Sequence, residues 1–295
     1  MPTTALVANT GARQTLDALA KARAMLVERG VQFTFTHIVA GEKPLRKCLK
    51  SLLRGGIELI VVAGGDGTMT TAAGELARSD TTLGVLPMGT GNSFALSLGI
   101  PNIETAVDAI AAGHTAQIDL GNVNGTYFAN FATIGLSSRI AAATPNRLKK
   151  MIGAAAYVLA GIIPGLRSHP FPCEVRAGKM EMEFQTFQVI VANGRYFGRT
   201  PLVSDASLTS GKLVLYATSD ASIADAAKTY ATLLVDGGHE LANAHVLEAP
   251  KLRVRTHPKQ PVAIDGEICG KTPAHFSVEP GALRVIVPPG AESRV

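Results

Sequence analysis

The sequence predicts a chain in two parts, an α/β N-terminal part on a parallel sheet and a C-terminal antiparallel β-sandwich. Three observations carry this. Strand and helix patterns alternate through the first hundred residues, short β-rich segments broken by Gly, Pro, Asn and Asp take over from about Gln117, and 295 residues suffice for two cores.

Taken in order, residues 5–8 read as a short strand. Leu16, Leu19, Ala22 and Leu26 mark one face of a helix that Gly30 closes, and Val31, Phe33 and Phe35 then alternate as a strand. Leu45, Cys48, Leu49, Leu52 and Leu53 follow the i, i+3, i+4, i+7, i+8 rule of an amphipathic helix, stopped by Gly55-Gly56. Residues 57–63 form a continuous apolar run, the mark of a buried strand, and Gly64, Gly65 and Gly67 turn the chain around Asp66. A helix over 68–78 and a strand over 82–86 running into Pro87 follow. Such alternation predicts a sheet covered on both faces, with ligands at the carboxyl ends of its strands.

Segments 127–132, 173–177, 183–192, 212–217, 251–256, 262–264 and 275–278 read as short strands of the second part. Helical inserts are expected at 146–163 and 222–234, the latter opened by Ser219-Asp220 as caps. The boundary is placed so that 1–117 is the α/β part and 118–285 the sandwich, with the tail 286–295 returning to the first.

Apolar residues make up 46% and charged residues 17%, an ordinary globular balance that argues against disorder. The formal charge of +5 permits an anionic partner, a phosphate substrate or an anionic membrane surface, but Lys and Arg are dispersed and no tract specifies nucleic acid. Three cysteines, Cys48, Cys173 and Cys269, have neither disulfide arithmetic nor metal-ligand spacing. The N-terminus lacks the charged lead and apolar run of an export signal, so a cytoplasmic location is expected. The apolar stretch within 148–163, with Lys149, Lys150 and Arg167 around it, is too short to span a bilayer; it reads either as a buried helix or as one that lines an acyl-chain entrance or rests at a membrane surface.

Three clusters carry chemistry. Glycines at the end of a strand let a phosphate approach bare backbone N–H groups, and a single carboxylate among them, Asp66, points to magnesium held chiefly by the phosphates of ATP. A second turn, Gly89-Thr90-Gly91-Asn92, follows one βα unit later, so that two glycine turns of one sheet together grip a triphosphate. The alternative is a pair of tight βα turns without ligand. The third cluster is Asp265-Gly266-Glu267: a hairpin explains Asp-Gly by backbone alone, but it does not require Glu267, which is suited to accept a proton from an attacking hydroxyl.

In order and spacing, Gly64-Gly65-Asp66-Gly67-Thr68, Pro87-Met88-Gly89-Thr90-Gly91-Asn92 and Asp265-Gly266-Glu267 resemble the diacylglycerol kinase catalytic family, which includes bacterial lipid kinases and the sphingosine and ceramide kinases. The resemblance extends through Ile118-Asp119-Leu120-Gly121, residues 130–136, Ala192-Asn193-Gly194, Phe197-Gly198 and the stretch 280–285. The first glycine motif alone is shared with NAD kinases and phosphofructokinases; the three-part set is not.

The resemblance implies a Rossmann-like N-terminal domain with a β-sandwich, and transfer of the γ-phosphate of ATP to a lipid hydroxyl. It implies that Asn9, Gly64, Gly65, Gly67, Thr68, Gly89, Thr90, Gly91, Asn92 and Asp265 serve the nucleotide site. Asp66 would act in catalysis and hold Mg²⁺, and Glu267 would be the base. Transient peripheral contact with a membrane and a possible homodimer follow as expectations; nucleic acid does not.

The chain departs from the family at four places. Ser93 stands where many bacterial members have Asp, the loop after Asn9 is short and leaves Arg13 as a candidate phosphate contact, Ser210-Gly211 and Val214 replace a structural-magnesium motif, and Arg199-Thr200 replace glycines. Two alternatives therefore stay open, an NAD kinase-like enzyme with a soluble acceptor and a nucleotide-binding regulator that has lost catalysis.

Overall fold

The computed structural model describes residues 3–9, 13–143, 169–194, 196–197, 200–201, 207–218 and 244–291. The chain divides into two compact units, the first comprising 1–120, 207–209 and 280–295 and the second 121–206 and 210–279. The expected helices at 146–163 and 222–234, residues 10–12 of the first loop, the Arg13 side chain and residues 198–199 lie outside the described residues.

The first unit runs β1 (Thr4–Asn9), α1 (Arg13–Glu28), β2 (Phe35–Val39), α2 (Glu42–Arg54), β3 (Leu59–Gly64), α3 (Asp66–Leu76), β4 (Thr82–Pro87), α4 (Ser93–Ser97), α5 (Ile103–Ala112) and the start of β5 (Thr115–Val123). Strands pair in parallel in the order β2-β1-β3-β4, and Val285 near the end of the last strand pairs in parallel with Leu83 of β4. Strands β1 and β3 are buried almost throughout, as a parallel sheet covered on both faces requires.

Edge strand β2 is different. It begins at Phe35, later than the alternation from Val31 suggested, and leaves Phe35 and Ile38 exposed. Val31 N–H is drawn back to Leu26 O of α1, so the chain leaves the helix end slowly, and Thr34 N–H to Thr4 O leads it into the pairing with β1 that starts at Phe35. In α2 the predicted stripe is met: Leu45, Leu49 and Leu52 are buried, each contributing about 2 kcal/mol of apolar burial, and Gly56 ends the element at φ +68°. Helix α5 was not anticipated, although Asn102 caps it by accepting from Thr105 N–H at 2.8 Å and Gly113 closes it in the left-handed region.

The second unit contains β6 (Thr126–Phe128), β7 (Phe131–Gly135), α6 (Leu136–Ala143), β8 (Phe171–Ala177), β9 (Met180–Thr186), β10 (Gln188–Ala192), β11 (Tyr196–Phe197), β12 (Thr200–Pro201), β13 (Leu213–Thr218), β14 (Ala244–Ala249), β15 (Lys251–Thr256), β16 (Pro261–Ile264), β17 (Glu267–Lys271) and the first part of β18 (Ala274–Ile286). One antiparallel sheet runs β14-β13-β10-β7-β16-β17; on the other side of the core β18, β15, β8 and β9 pair antiparallel in that order.

Alternate residues of both layers interdigitate. Ile134, Val189, Val191, Leu215 and Val262 from one layer pack with Cys173, Val175, Leu252, Val254 and Phe276 from the other, which is the period-2 signature of a sandwich core. Burial pushes the Cys173 thiol up to about 12, so this cysteine is a packing residue and not a nucleophile.

Candidate active site

In the first unit the glycine motifs bring two loops into backbone contact. Met88 N–H donates to Gly64 O at 2.9 Å, and a Cβ on Gly89 would lie 2.6 Å from Gly65 Cα. A Cβ on Gly65 would lie 3.2 Å from Gly89 Cα, and one on Gly64 would meet the Thr68 side chain at 2.7 Å. None of these three carries a positive φ, so what favours glycine here is close approach, strictest at Gly89, which meets backbone. Gly67 is the contrast: a Cβ there would meet nothing within 4 Å, so its role is an open backbone in the first turn of α3.

The polar side chains around these glycines bind one another. Asn9, at the end of β1, donates from Nδ2 to Thr68 Oγ1 at 2.9 Å and accepts Gly41 N–H on Oδ1 at 2.9 Å, tying β1 to α3 and to the start of α2. Asn92, left-handed at φ 56°, accepts Gly89 N–H and donates to Gly89 O, both at 2.8 Å, which closes the second turn on itself. Thr90 is exposed at its tip.

Asp66 occupies a place the sequence did not reveal. It is the first residue of α3 rather than part of the preceding turn, and its Oδ1 accepts Phe94 N–H at 3.2 Å from the second loop. Burial pushes its carboxyl above the ordinary value, opposed by the amides of Phe94, Asn92 and Ser93 and by the Ser93 hydroxyl. A Cβ on Gly91 would lie 2.9 Å from Oδ2, so Gly91 also makes room for this carboxylate. Ser93, buried at 2% exposure, is therefore a partner of Asp66 and not merely a missing charge.

The Asp66 carboxylate joins the two glycine loops through the amides of the second loop and the Ser93 hydroxyl. Among the described residues no group of three His, Cys, Asp or Glu could hold a metal by itself, so a Mg²⁺ ion here would be held by one carboxylate together with the phosphates of ATP.

In the second unit Asp265 (φ 45°) and Gly266 (φ 83°) form the two-residue turn between β16 and β17, with Ile264 paired to Glu267. Positive φ at both positions is the backbone demand that Asp-Gly satisfies. Glu267 stands exposed just past the turn, free to meet a substrate. Register places this turn at the end of the sheet where β7 begins and β10 ends: Ile264 pairs with Ala132, and Phe131 with Ala192.

Asn130 sits at that same end, fully buried, and neither Nδ2 nor Oδ1 has a hydrogen-bond partner among the described residues. Its carbonyl accepts Asn193 N–H at 2.7 Å and Gly194 N–H at 3.1 Å, while Asn193 Nδ2 donates to Ala129 O. Sequence reasoning did not single out Asn130. The available signal was a polar residue between Ala129 and Phe131 at the start of a buried strand.

Residues 4–123 match the diacylglycerol kinase catalytic domain model, and 130–287 match the YegS C-terminal NAD kinase beta sandwich-like domain model. A diacylglycerol kinase of Bacillus subtilis is 33% identical over 263 residues, covering 86% of each chain. The chain belongs to the diacylglycerol kinase catalytic-domain family. Membership makes it a kinase, a phosphotransferase with an alcohol group as acceptor and ATP as donor. A YegS-like protein of Pseudomonas aeruginosa is 34% identical over 253 residues, 83% of this chain and 82% of its own. A solved structure from Bacillus anthracis str. Sterne matches with a TM-score of 0.80 at 26% identity, covering 98% of this chain and 96% of that one. Both family models are long enough to take in the glycine loops, Asn130 and the Asp265–Glu267 turn, so the kinase's described features all fall inside matched segments.

Proposed function

We propose that this kinase transfers the γ-phosphate of ATP to the hydroxyl of a lipid such as diacylglycerol, a sphingoid base or ceramide. The observation that carries the ATP side is the pair of glycine loops clasped by Asp66, a cradle whose backbone leaves no room for a Cβ at Gly89 and only a tight fit for one at Gly65. On the lipid side the reading is supported by the Bacillus subtilis relative, a diacylglycerol kinase similar over most of both chains.

Gly64, Gly65, Gly67, Thr68 and Gly89 to Asn92 are assigned to the triphosphate, with Asn9 and Asp66 holding the loops in shape. Mg²⁺ would arrive on the phosphates of ATP and supply charge neutralisation there. Glu267 takes the proton of the acceptor hydroxyl as the hydroxyl oxygen attacks the γ-phosphorus in line, and the bond from that phosphorus to the bridging oxygen breaks to release ADP. Asp265 sets the turn that presents Glu267. The first unit is thus assigned to the nucleotide and the second to the acceptor, with transient contact to a membrane during turnover.

The test is transfer of label from [γ-³²P]ATP to a panel of diacylglycerol, sphingoid base, ceramide and NAD, the lipids offered in vesicles or detergent. Label in a lipid product supports the reading. Label in NAD alone would replace it with a soluble acceptor, and nucleotide binding without any transfer would favour a regulator.

A further inference from the structure

On the sandwich unit, the face of β18, β15 and β8 turned away from the core carries a row of basic side chains. Leu252, Val254, Phe276 and Val175 point into the core, so the intervening residues Lys251, Arg253, His275 and Arg176 share the outer face. Register sets Arg253 between His275 on β18 and Arg176 on β8. Like charges directly opposite one another destabilise a sheet.

Arg176 is answered by Glu181 one strand further out, with Nε at 3.0 Å and Nη2 at 2.7 Å. No carboxylate pairs with Lys251, Arg253 or His275 among the described residues, whereas Arg255, further along β15, meets Glu174 at 3.5 Å. Arg253 Nε is also shielded from solvent and lacks a hydrogen-bond partner among those residues. A desolvated, unanswered guanidinium donor is unfavourable unless something accepts from it.

These residues line a groove of about 490 Å³. The hairpin between β5 and β6 closes one side, held by Asn124 N–H donating to His275 O at 3.0 Å and by Asn124 Oδ1 accepting His275 N–H at 2.9 Å. None of the lining belongs to the glycine motifs or to the Asp265–Glu267 turn.

We propose that this groove is a second anion site, binding a phosphate-bearing group through Lys251, Arg253 and His275. A phosphate supplies several acceptor oxygens for a forked guanidinium and a neighbouring ammonium, satisfying Arg253 Nε and relieving the repulsion along the row. The group is carried either by an anionic lipid headgroup or by free phosphate. The site does not depend on which lipid the kinase phosphorylates.

The test uses the full chain and two probes, phosphatidylcholine vesicles with or without phosphatidylglycerol, and inorganic phosphate. Lys251→Gln/Arg253→Gln is compared with a control that removes two charges elsewhere, Arg255→Gln/Lys259→Gln, and with the single exposed change Lys251→Gln should the double variant fold poorly. On anionic vesicles the site variant is expected to lose roughly 25-fold in affinity, about fivefold per charge, and the control much less. That result assigns the site to a headgroup; selective loss of inorganic phosphate binding by the site variant assigns it to free phosphate. Equal losses in the two double variants, or no binding of either probe by the wild type, would overturn the proposal.

Discussion

The glycine loops of the first unit and the hairpin end of the second treat polar atoms in opposite ways. In the loops Asn9 holds Thr68, Asn92 holds Gly89 and Asp66 holds Phe94, so side chains are spent on shaping a backbone cradle. At the hairpin end Glu267 faces solvent and the Asn130 amide is buried without a partner among the described residues. A preorganised region suits a ligand whose shape never varies, such as a triphosphate. A region with uncommitted polar atoms suits groups that change during reaction. The proposed division gives binding to the first and proton transfer to the second.

The hairpin end should give the largest effect. Glu267→Gln is expected to lower turnover roughly 10²- to 10⁴-fold, the usual contribution of a general base, read as labelled lipid per unit time. Turnover near that of the wild type would remove Glu267 from the role. Gly89→Ala should follow, because its Cβ has Gly65 Cα at 2.6 Å and Asn92 Oδ1 at 2.9 Å and the backbone cannot yield cheaply. Overpacking of about 3 kcal/mol corresponds to ATP binding weakened on the order of 100-fold, measured by calorimetry. Unchanged affinity would show that the loops open without loss.

Asn130→Leu distinguishes uncommitted from structural polarity. Removing a buried amide that pairs with nothing described should leave the melting temperature unchanged or raised, while turnover falls by roughly tenfold. A large drop in melting temperature would show that Asn130 supports the fold.

The smallest effect is expected at Asp66. Burial holds its carboxyl above the ordinary value, so the folded chain binds that proton more tightly than the unfolded chain. The stability it contributes is complete below the unfolded carboxylate range and is lost as pH rises through the folded pKa. Asp66→Asn keeps an acceptor oxygen and never ionises; it should melt higher than the wild type at neutral pH, the gap closing at acid pH, with turnover reduced less than about tenfold. A 100-fold loss of turnover would assign Asp66 to metal binding as well.

Much of the fold was legible because it is local. The spacing of Leu45, Leu49 and Leu52 dictates a buried helical stripe, and the run through Ile60, Val61 and Val62 dictates a central strand. The strand predicted at 251–256 is β15 itself. What escaped was non-local. Nothing in Gly-Gly-Asp-Gly reveals that Asp66 bonds the amide of Phe94, 28 residues on, and pattern alone does not separate Asn130 from any loop asparagine. Strand β2 begins late because Val31 N–H is claimed by Leu26 O of α1, a helix-end bond that no alternation of Val31, Phe33 and Phe35 encodes.

The division between the two regions is tested most directly by the ATP dissociation constant of Glu267→Gln. If the glycine loops bind the nucleotide and Glu267 only moves a proton, that constant stays within about threefold of the wild type while turnover collapses. A weakening as large as that of Gly89→Ala would contradict the division.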